Sequence, residues 1–281
     1  MPKSGCSQVK ATVIGAQGFI GRHLVKLLES KGYEIYAPLR DDPQLLTSSL
    51  GNVFYCAGVT SDFRKRPFDT VKAHVGDLRL LLEHADFNTF LYLSSTRVYS
   101  NQPQDKIVRE EDLLRVNPLH PEDLFNLSKL AGESLCLTVE RPNVKVARIS
   151  NVCGADFESN NFLYSIIKDA INHREIVLRS SLESEKDYIS VNDVTSLLLQ
   201  ISKMGVQRIY NVASGRNISH EKWVEHLKKY TGCRVTVIPD AKVQKFPPIS
   251  IERIQSEFNY VPTNCLSMAQ CLVEYYVKEK K

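Results

Sequence analysis

Long apolar runs are missing from this sequence. No stretch approaches the ~18 consecutive apolar residues of a membrane span, and no basic N-terminal region leads into an apolar segment with a cleavage site. A cytoplasmic protein without a membrane partner is expected. Concentrated positive charge is missing too: 36 Lys and Arg against 32 Asp and Glu leave a formal +4, with no basic run longer than Arg64-Lys65-Arg66. That is too dispersed for a nucleic-acid groove. The seven cysteines are odd in number, scattered from Cys6 to Cys271 and never spaced C-x-x-C. Neither a disulfide framework nor a metal site is suggested, and reduced, mostly buried thiols are expected. No internal repeat or evident linker is found. What the chain does have is apolar material: 281 residues, 43% hydrophobic, can bury about 75% of the extended-chain surface as a soluble globular protein.

The first half alternates short apolar runs with longer helical patterns. Strands are read at Val9 to Ile14, Tyr33 to Ala37, Val53 to Cys56, Phe90 to Ser94 and Val144 to Ile149. Helices are read at Phe19 to Ser30, Asp69 to Glu83 and Glu122 to Glu140. Nearly continuous apolar strands separated by helices long enough to cross over predict an α/β fold, a Rossmann-type doubly wound parallel sheet. Beyond residue 150 the pattern is less regular. Helices fit Asn161 to Asn172, Asn192 to Ser202, His220 to Tyr230, Glu252 to Phe258 and Leu266 to Lys278, with strands near Ile176 to Leu178 and Tyr188 to Ser190. The expectation is a cofactor-binding domain over 1–150 and a smaller C-terminal α+β substrate lobe over 151–281, some segments of which return to the first domain. A ligand belongs at the carboxyl ends of the strands.

Gly15-Ala16-Gln17-Gly18-Phe19-Ile20-Gly21 follows the first strand and opens the first helix. A tight turn, close approach of backbone to a pyrophosphate and close packing of helix on strand each call for glycine, and the helix N-terminus favours phosphate. An ordinary glycine-rich turn is the alternative; the strand-turn-helix context favours a nucleotide cofactor.

The spacing is G-x-x-G-x-x-G, and here the chain resembles the extended short-chain dehydrogenase/reductase family, whose members mostly act on nucleotide sugars. The likeness runs over nearly the whole length. Cys56-Ala57-Gly58 is similar to the family's hydrophobic-Ala-Gly turn after the fourth strand, where small residues let the backbone approach the cofactor. At the end of the second strand, where NAD-type relatives carry an acid, this chain has Leu39 followed by Arg40, whose guanidinium suits a 2′-phosphate. NADP(H) is therefore favoured, with Arg22 assisting, and NAD(H) stays open because Asp41 and Asp42 lie beside it.

Phe90-Leu91-Tyr92-Leu93-Ser94-Ser95-Thr96-Arg97-Val98-Tyr99 resembles the family's strand-Ser-Ser-x-x-Val-Tyr segment, which implies that Ser95 holds a substrate oxygen, with Thr96 as understudy. Phe125-Asn126-Leu127-Ser128-Lys129 resembles the Tyr-x-x-x-Lys helix, in which a lysine lowers a phenol's pKa and holds the nicotinamide ribose. Lys129 is present, but the tyrosine position holds Phe125, which has no proton to exchange. Three explanations stand: a Tyr-to-Phe substitution introduced to trap bound substrate, a binding protein that has lost catalysis, or an enzyme using Tyr99, Thr96 or water. The intact Ser-Lys flank favours the first.

On the substrate side, Arg148 to Gly154 resembles the family's Arg-x-x-Asn-x-x-Gly segment after the sixth strand. It implies contacts to a sugar-diphosphate from Asn151, and from Asn161 and Phe162 at the next helix start; a plain N-cap is the other reading of Asn161. Lys186-Asp187-Tyr188 resembles an Arg-Asp-Tyr block, with Lys186 supplying charge without the bidentate fork and Asp193 structural. Tyr210 to Gly215 is similar to a Tyr-Asn-x-x-x-Gly turn. A last phosphate-binding arginine has no clear match, Lys245 or Arg253 being substitutes. The resemblance implies a keto-sugar reductase, with a nucleotide-sugar epimerase or an inactive nucleotide-binding sensor or scaffold as alternatives. Thr96-Arg97 disfavours a 4,6-dehydratase, which would carry Asp-Glu there. A homodimer through two long helices is also implied.

Overall fold

The computed structural model describes residues 8–156, 159 and 161–280; Cys6 and Asn160 lie outside them. In chain order the elements are β1 (Lys10–Ile14), α1 (Phe19–Ser30), β2 (Glu34–Tyr36), β3 (Asn52–Tyr55), α2 (Pro67–Val71), α3 (Asp77–His84), β4 (Thr89–Ser95), α4 (Asp123–Thr138), β5 (Val144–Ile149), β6 (Asn151–Cys153), α5 (Phe162–Asn172), β7 (Glu175–Leu178), β8 (Glu185–Ser190), α6 (Val191–Met204), β9 (Ile209–Val212), β10 (Asn217–Ser219), α7 (His220–Thr231), β11 (Arg234–Val237), α8 (Glu252–Phe258) and α9 (Ala269–Glu279). No described helix is long and apolar enough to cross a membrane.

The chain forms two compact units. The first takes the described residues up to Ser95, Val116–Arg148 and Thr195–Tyr210; the second takes Thr96–Arg115, Ile149–Val194 and the described residues from Asn211. The division is thus discontinuous, and 96–115 goes with the second unit.

The main sheet has the order β2-β1-β3-β4-β5-β9, and β2, β1, β3 and β4 pair in parallel. Strand order reverses between β1 and β3, which opens a crevice at their carboxyl ends. The turn Cys56-Ala57-Gly58 follows β3, so it comes after the third strand rather than the fourth, and Arg148 lies in the fifth strand rather than after a sixth. Helix α1 buries Gly21, Leu24 and Leu28, one stripe at helical spacing. Each of the two fully buried leucines contributes about 1.5–3 kcal/mol. Gly32, at φ +79°, then turns the chain into β2.

The helix expected over Asp69 to Glu83 is interrupted by a π turn, Lys72–Gly76, between α2 and α3. Two phenols account for it. Tyr55 on β3 donates its hydroxyl to the Ala73 carbonyl at 2.6 Å, and Tyr92 on β4 donates to the His74 carbonyl at 3.4 Å. Side chains inserted into a helical ladder widen it.

In the second unit, β10-β8-β6 form a three-stranded sheet and β11-β7 a pair. The core is built from α5, α7 and α9 around Trp223, Ile167 and Leu227. Tyr210-Asn211-Val212, expected as a turn, is strand β9; the turn comes at Gly215, φ +76°. Of the described cysteines, Cys136, Cys153, Cys233 and Cys265 are buried, Cys56 is half-buried and Cys271 is exposed.

Candidate active site

Gly15 leaves β1 at φ +84°, and a Cβ there would stand 2.7 Å from the Ala57 nitrogen. Only glycine fits both demands. Gly21 lies under the same turn, where a Cβ would meet the Gly15 carbonyl at 2.2 Å. Gly18 is the N-cap of α1, with no side-chain cap and no acid in the first turn, so the helix start offers its positive end.

These features border a cleft of about 530 Å³ lined by Gly15, Gln17, Gly18, Arg40, Cys56, Ala57 and Gly58. Phe19, Ile20 and Gly21 stand in the first turn of α1 and are not among the lining residues. A pyrophosphate-bearing dinucleotide fits this cradle: glycines wherever a Cβ would collide, and a helix N-terminus without a competing carboxylate. Near Arg40 the lining is mixed, because Lys72 binds Asp41 at 3.2 Å and Asp77 at 2.8 Å.

Ser95 ends β4, half-buried. The next residue, Thr96, is buried, and its hydroxyl reaches the Ile149 carbonyl at 3.5 Å. Tyr99 is also enclosed, its hydroxyl donating to Asn211 Oδ1 at 2.8 Å and to the Arg109 carbonyl at 3.1 Å.

Phe125 sits in the first turn of α4, 4% exposed, packed with Val59 and Phe63. Its ring meets the His74 imidazole edge to face, with centroids 5.4 Å apart. One turn later Lys129 is buried. Its ammonium donates to the Leu93 carbonyl at 2.9 Å and lies 5.0 Å over the Tyr92 ring. Burial outweighs the attraction of Glu133 and brings the Lys129 pKa down to about 7. An amine that titrates near neutrality can exchange protons under ordinary conditions.

Below it, Glu133 accepts from Arg148 in a fork, Nε at 3.0 Å and Nη2 at 2.7 Å, and from Ser94 Oγ at 2.5 Å. This buried pair fastens α4 to β4 and β5, and so holds the Lys129 turn against the strand that ends in Ser95.

In the second unit Asn151 begins β6, exposed, its amide donating to the Asp187 carbonyl at 2.9 Å. Asn161 occupies the N-cap of α5 without a side-chain capping bond. Phe162 stacks on His220 at 3.8 Å. Lys186 on β8 is half-buried, and its pKa is lowered by burial and then by the like charge of Arg97. Asp187 accepts from Ser150 Oγ, both groups of Ser214 and the Arg216 amide. Asp193 takes Thr263 and the Tyr260 hydroxyl; both aspartates tie structure together. Arg253 is held by Glu110 and Glu111.

Residues 11–213 match the NAD dependent epimerase/dehydratase family. The chain belongs to it. A curated relative, GDP-6-deoxy-D-mannose reductase of Pseudomonas aeruginosa, is 29% identical over 81% of this chain and 82% of its own. Among solved structures, RMD from Pseudomonas aeruginosa complexed with NADPH superposes with a TM-score of 0.76 at 21% identity, covering 96% of this chain and 99% of that one. UDP-glucose 4-epimerase from Thermotoga maritima, with UDP-glucose, gives a TM-score of 0.81 at 18% identity, covering 97% and 100%. Both share the fold.

For a member of the epimerase/dehydratase family, three side chains stand out that the motifs did not single out. Lys72 lines the cleft, Arg97 faces Lys186, and His74 lies buried against Phe125. All three depend on contacts remote in sequence. A lone histidine inside a helical pattern carries no local signal.

Proposed function

We propose that the chain is a nicotinamide-dinucleotide-dependent oxidoreductase of a nucleotide-activated sugar, a keto-sugar reductase, slowed by the phenyl ring at 125. The observation that carries this reading is Gly58. It lines the dinucleotide-sized cleft, and its α-carbon borders the Lys129 ammonium, since a Cβ there would lie 3.4 Å from Nζ. The cofactor cradle and the titratable amine therefore adjoin.

In this reading Gly15, Gln17, Gly18 and the turn 56–58 hold the dinucleotide. Arg40, helped by Lys72, takes a 2′-phosphate, which selects NADP(H) over NAD(H). When bound, the cofactor supplies the hydride. Ser95 holds the substrate oxygen and Lys129 provides the proton. In the second unit Lys186 and Arg97 offer positive charge to a diphosphate, with Asn151, Asn161 and Phe162 as the further contacts of this reading. The family and the reductase among its relatives support a nucleotide-sugar substrate.

The test is NADPH oxidation with GDP-, dTDP-, CDP- and UDP-linked keto sugars, comparing the chain with Phe125→Tyr. A positioned proton donor is worth about 10²–10⁴-fold, so the variant should turn over faster by that factor. Tight cofactor binding without turnover in either form would instead support the sensor reading, and interconversion of sugars at catalytic NAD would support an epimerase.

A further inference from the structure

At the end of the main sheet opposite the glycine turns lies a second cavity, of about 360 Å³, which the proposed reaction does not use. It opens at the amino ends of β1, β3 and β4, where Val9, Asn52 and Thr89 reach it, whereas Gly15 and Cys56 follow the carboxyl ends of β1 and β3. The length of β1 separates it from the cofactor cleft, and the two share no lining residue. All of its lining belongs to the first unit.

The polar groups here are donors. Asn52 and Thr89 stand side by side in the β3–β4 register. The Thr89 hydroxyl donates to Asn52 Oδ1 at 3.2 Å, so the Ser202 hydroxyl, 3.0 Å from Thr89 Oγ1, is the donor of the second bond. That chain occupies the Asn52 oxygen and leaves its Nδ2 with both hydrogens unpartnered among the described residues. The Tyr33 hydroxyl makes no hydrogen bond among them either. Lys203 holds its ammonium 5.8 Å over the Tyr33 ring, and Lys31 lines the opposite rim. Neither lysine has a carboxylate within ion-pair reach among the described residues, and no Asp or Glu lines the cavity.

The ends of α1 and α6 bring the two lysines here, since a helix C-terminus favours cations. They do not supply the missing acceptor. The Leu27, Leu28 and Glu29 carbonyls are taken by the amides of Lys31, Gly32 and Tyr33. The Ile201 carbonyl takes the Gly205 amide and the Lys145 ammonium. Cations without a counter-ion, beside an amide and a phenol without an acceptor, suit a ligand that is negatively charged and only accepts. Two ammonium groups match a dianion, and a carboxylate, with one charge and two oxygens, would leave part of the set unmet.

We propose that this cavity is a second ligand site that takes a phosphate group, held by Lys31 and Lys203 with Asn52 Nδ2 and the Tyr33 hydroxyl as neutral donors. Its volume falls among small-molecule sites, about 300–1,000 Å³, so the phosphate of a small phosphomonoester fits as well as the free ion.

The experiment is a ¹H–¹⁵N NMR titration of the full chain with inorganic phosphate and with glycerol 3-phosphate, each matched in ionic strength by sodium chloride. The reporters are the Asn52 side-chain amide and the Gly32 backbone amide, which should shift with one shared midpoint while chloride leaves them in place. Lys31→Glu and Lys203→Glu, both at exposed positions, should each weaken binding about 10- to 100-fold. Asn52→Ser, read at Gly32, should weaken it about 2- to 10-fold, an effect that bare surface charge would not produce. The Gly18 amide reports the cofactor cleft, and its response should be the same in all three variants as in the unaltered chain.

Tighter binding of glycerol 3-phosphate than of phosphate would assign the site to phosphomonoesters, and any other order to the free ion. Silent reporters with both compounds, an equal shift with chloride, or a midpoint unmoved in both lysine variants or in Asn52→Ser would overturn the proposal.

Discussion

Lys129 should make stability rise with pH in the neutral-to-alkaline range, well above the acid range in which carboxylates do the same. In the folded chain its pKa is about 7; unfolded, it returns to about 10.4. Between these values the unfolded state binds the extra proton, so unfolding becomes less favourable as pH rises. The cost of a buried ammonium is fully present below pH 7 and disappears toward pH 10. Between pH 7 and 9 the gain is about 2 kcal/mol. The measurement is urea unfolding at intervals from pH 6 to 9.5 on the chain and on Lys129→Met, whose difference cancels every other titrating group. The chain should gain on the variant by about 2 kcal/mol between pH 7 and 9. Two parallel curves would refute the reasoning, since they would mean that Leu93 and its neighbours keep the ammonium charged throughout.

Glu133→Ala leaves the Arg148 guanidinium buried without its carboxylate. It should cost about 3–5 kcal/mol in urea unfolding, and a loss below 1 kcal/mol would show that the pair does not hold α4 to the sheet. Arg40→Ala removes the charge placed for a 2′-phosphate, so NADPH affinity should fall about 10- to 100-fold with NADH affinity unchanged. Equal losses for the two cofactors by fluorescence titration would assign Arg40 to the cleft wall only.

The elements legible in the sequence are those whose cause is local. Phe19–Ser30, opened by the glycine turn before it, forms as expected. Val144–Ile149, whose Val144, Val146, Ala147 and Ile149 are buried, is β5 as expected. Asn151–Cys153 and Asn217–Ser219 are too short to show a period, and their pairing with β8 comes from residues thirty or more positions away. Arg234–Val237 alternates but is largely exposed, so no apolar face announced it.

The site divides in the same way. Gly15, Gly18 and the Cys56–Gly58 turn were readable because backbone geometry dictates glycine there, and the cleft brings them together with Arg40. Thr96 and Tyr99 read as spare hydroxyls, yet each is spent on a carbonyl or amide oxygen within the fold. The burial of His74 could not be read because its contacts, Ser128 and Phe125, are remote in sequence.

The widened turn at Lys72–Gly76 acts as a phase shifter. One surplus residue rotates everything on one side of it by about 100° around the axis relative to an unbroken coil. The bearing of the imidazole is therefore set by two hydroxyls on adjacent strands rather than by the helix that carries it. Stripping those hydroxyls, as in Tyr55→Phe with Tyr92→Phe, would let the coil rewind and turn the ring away from Ser128 and Phe125.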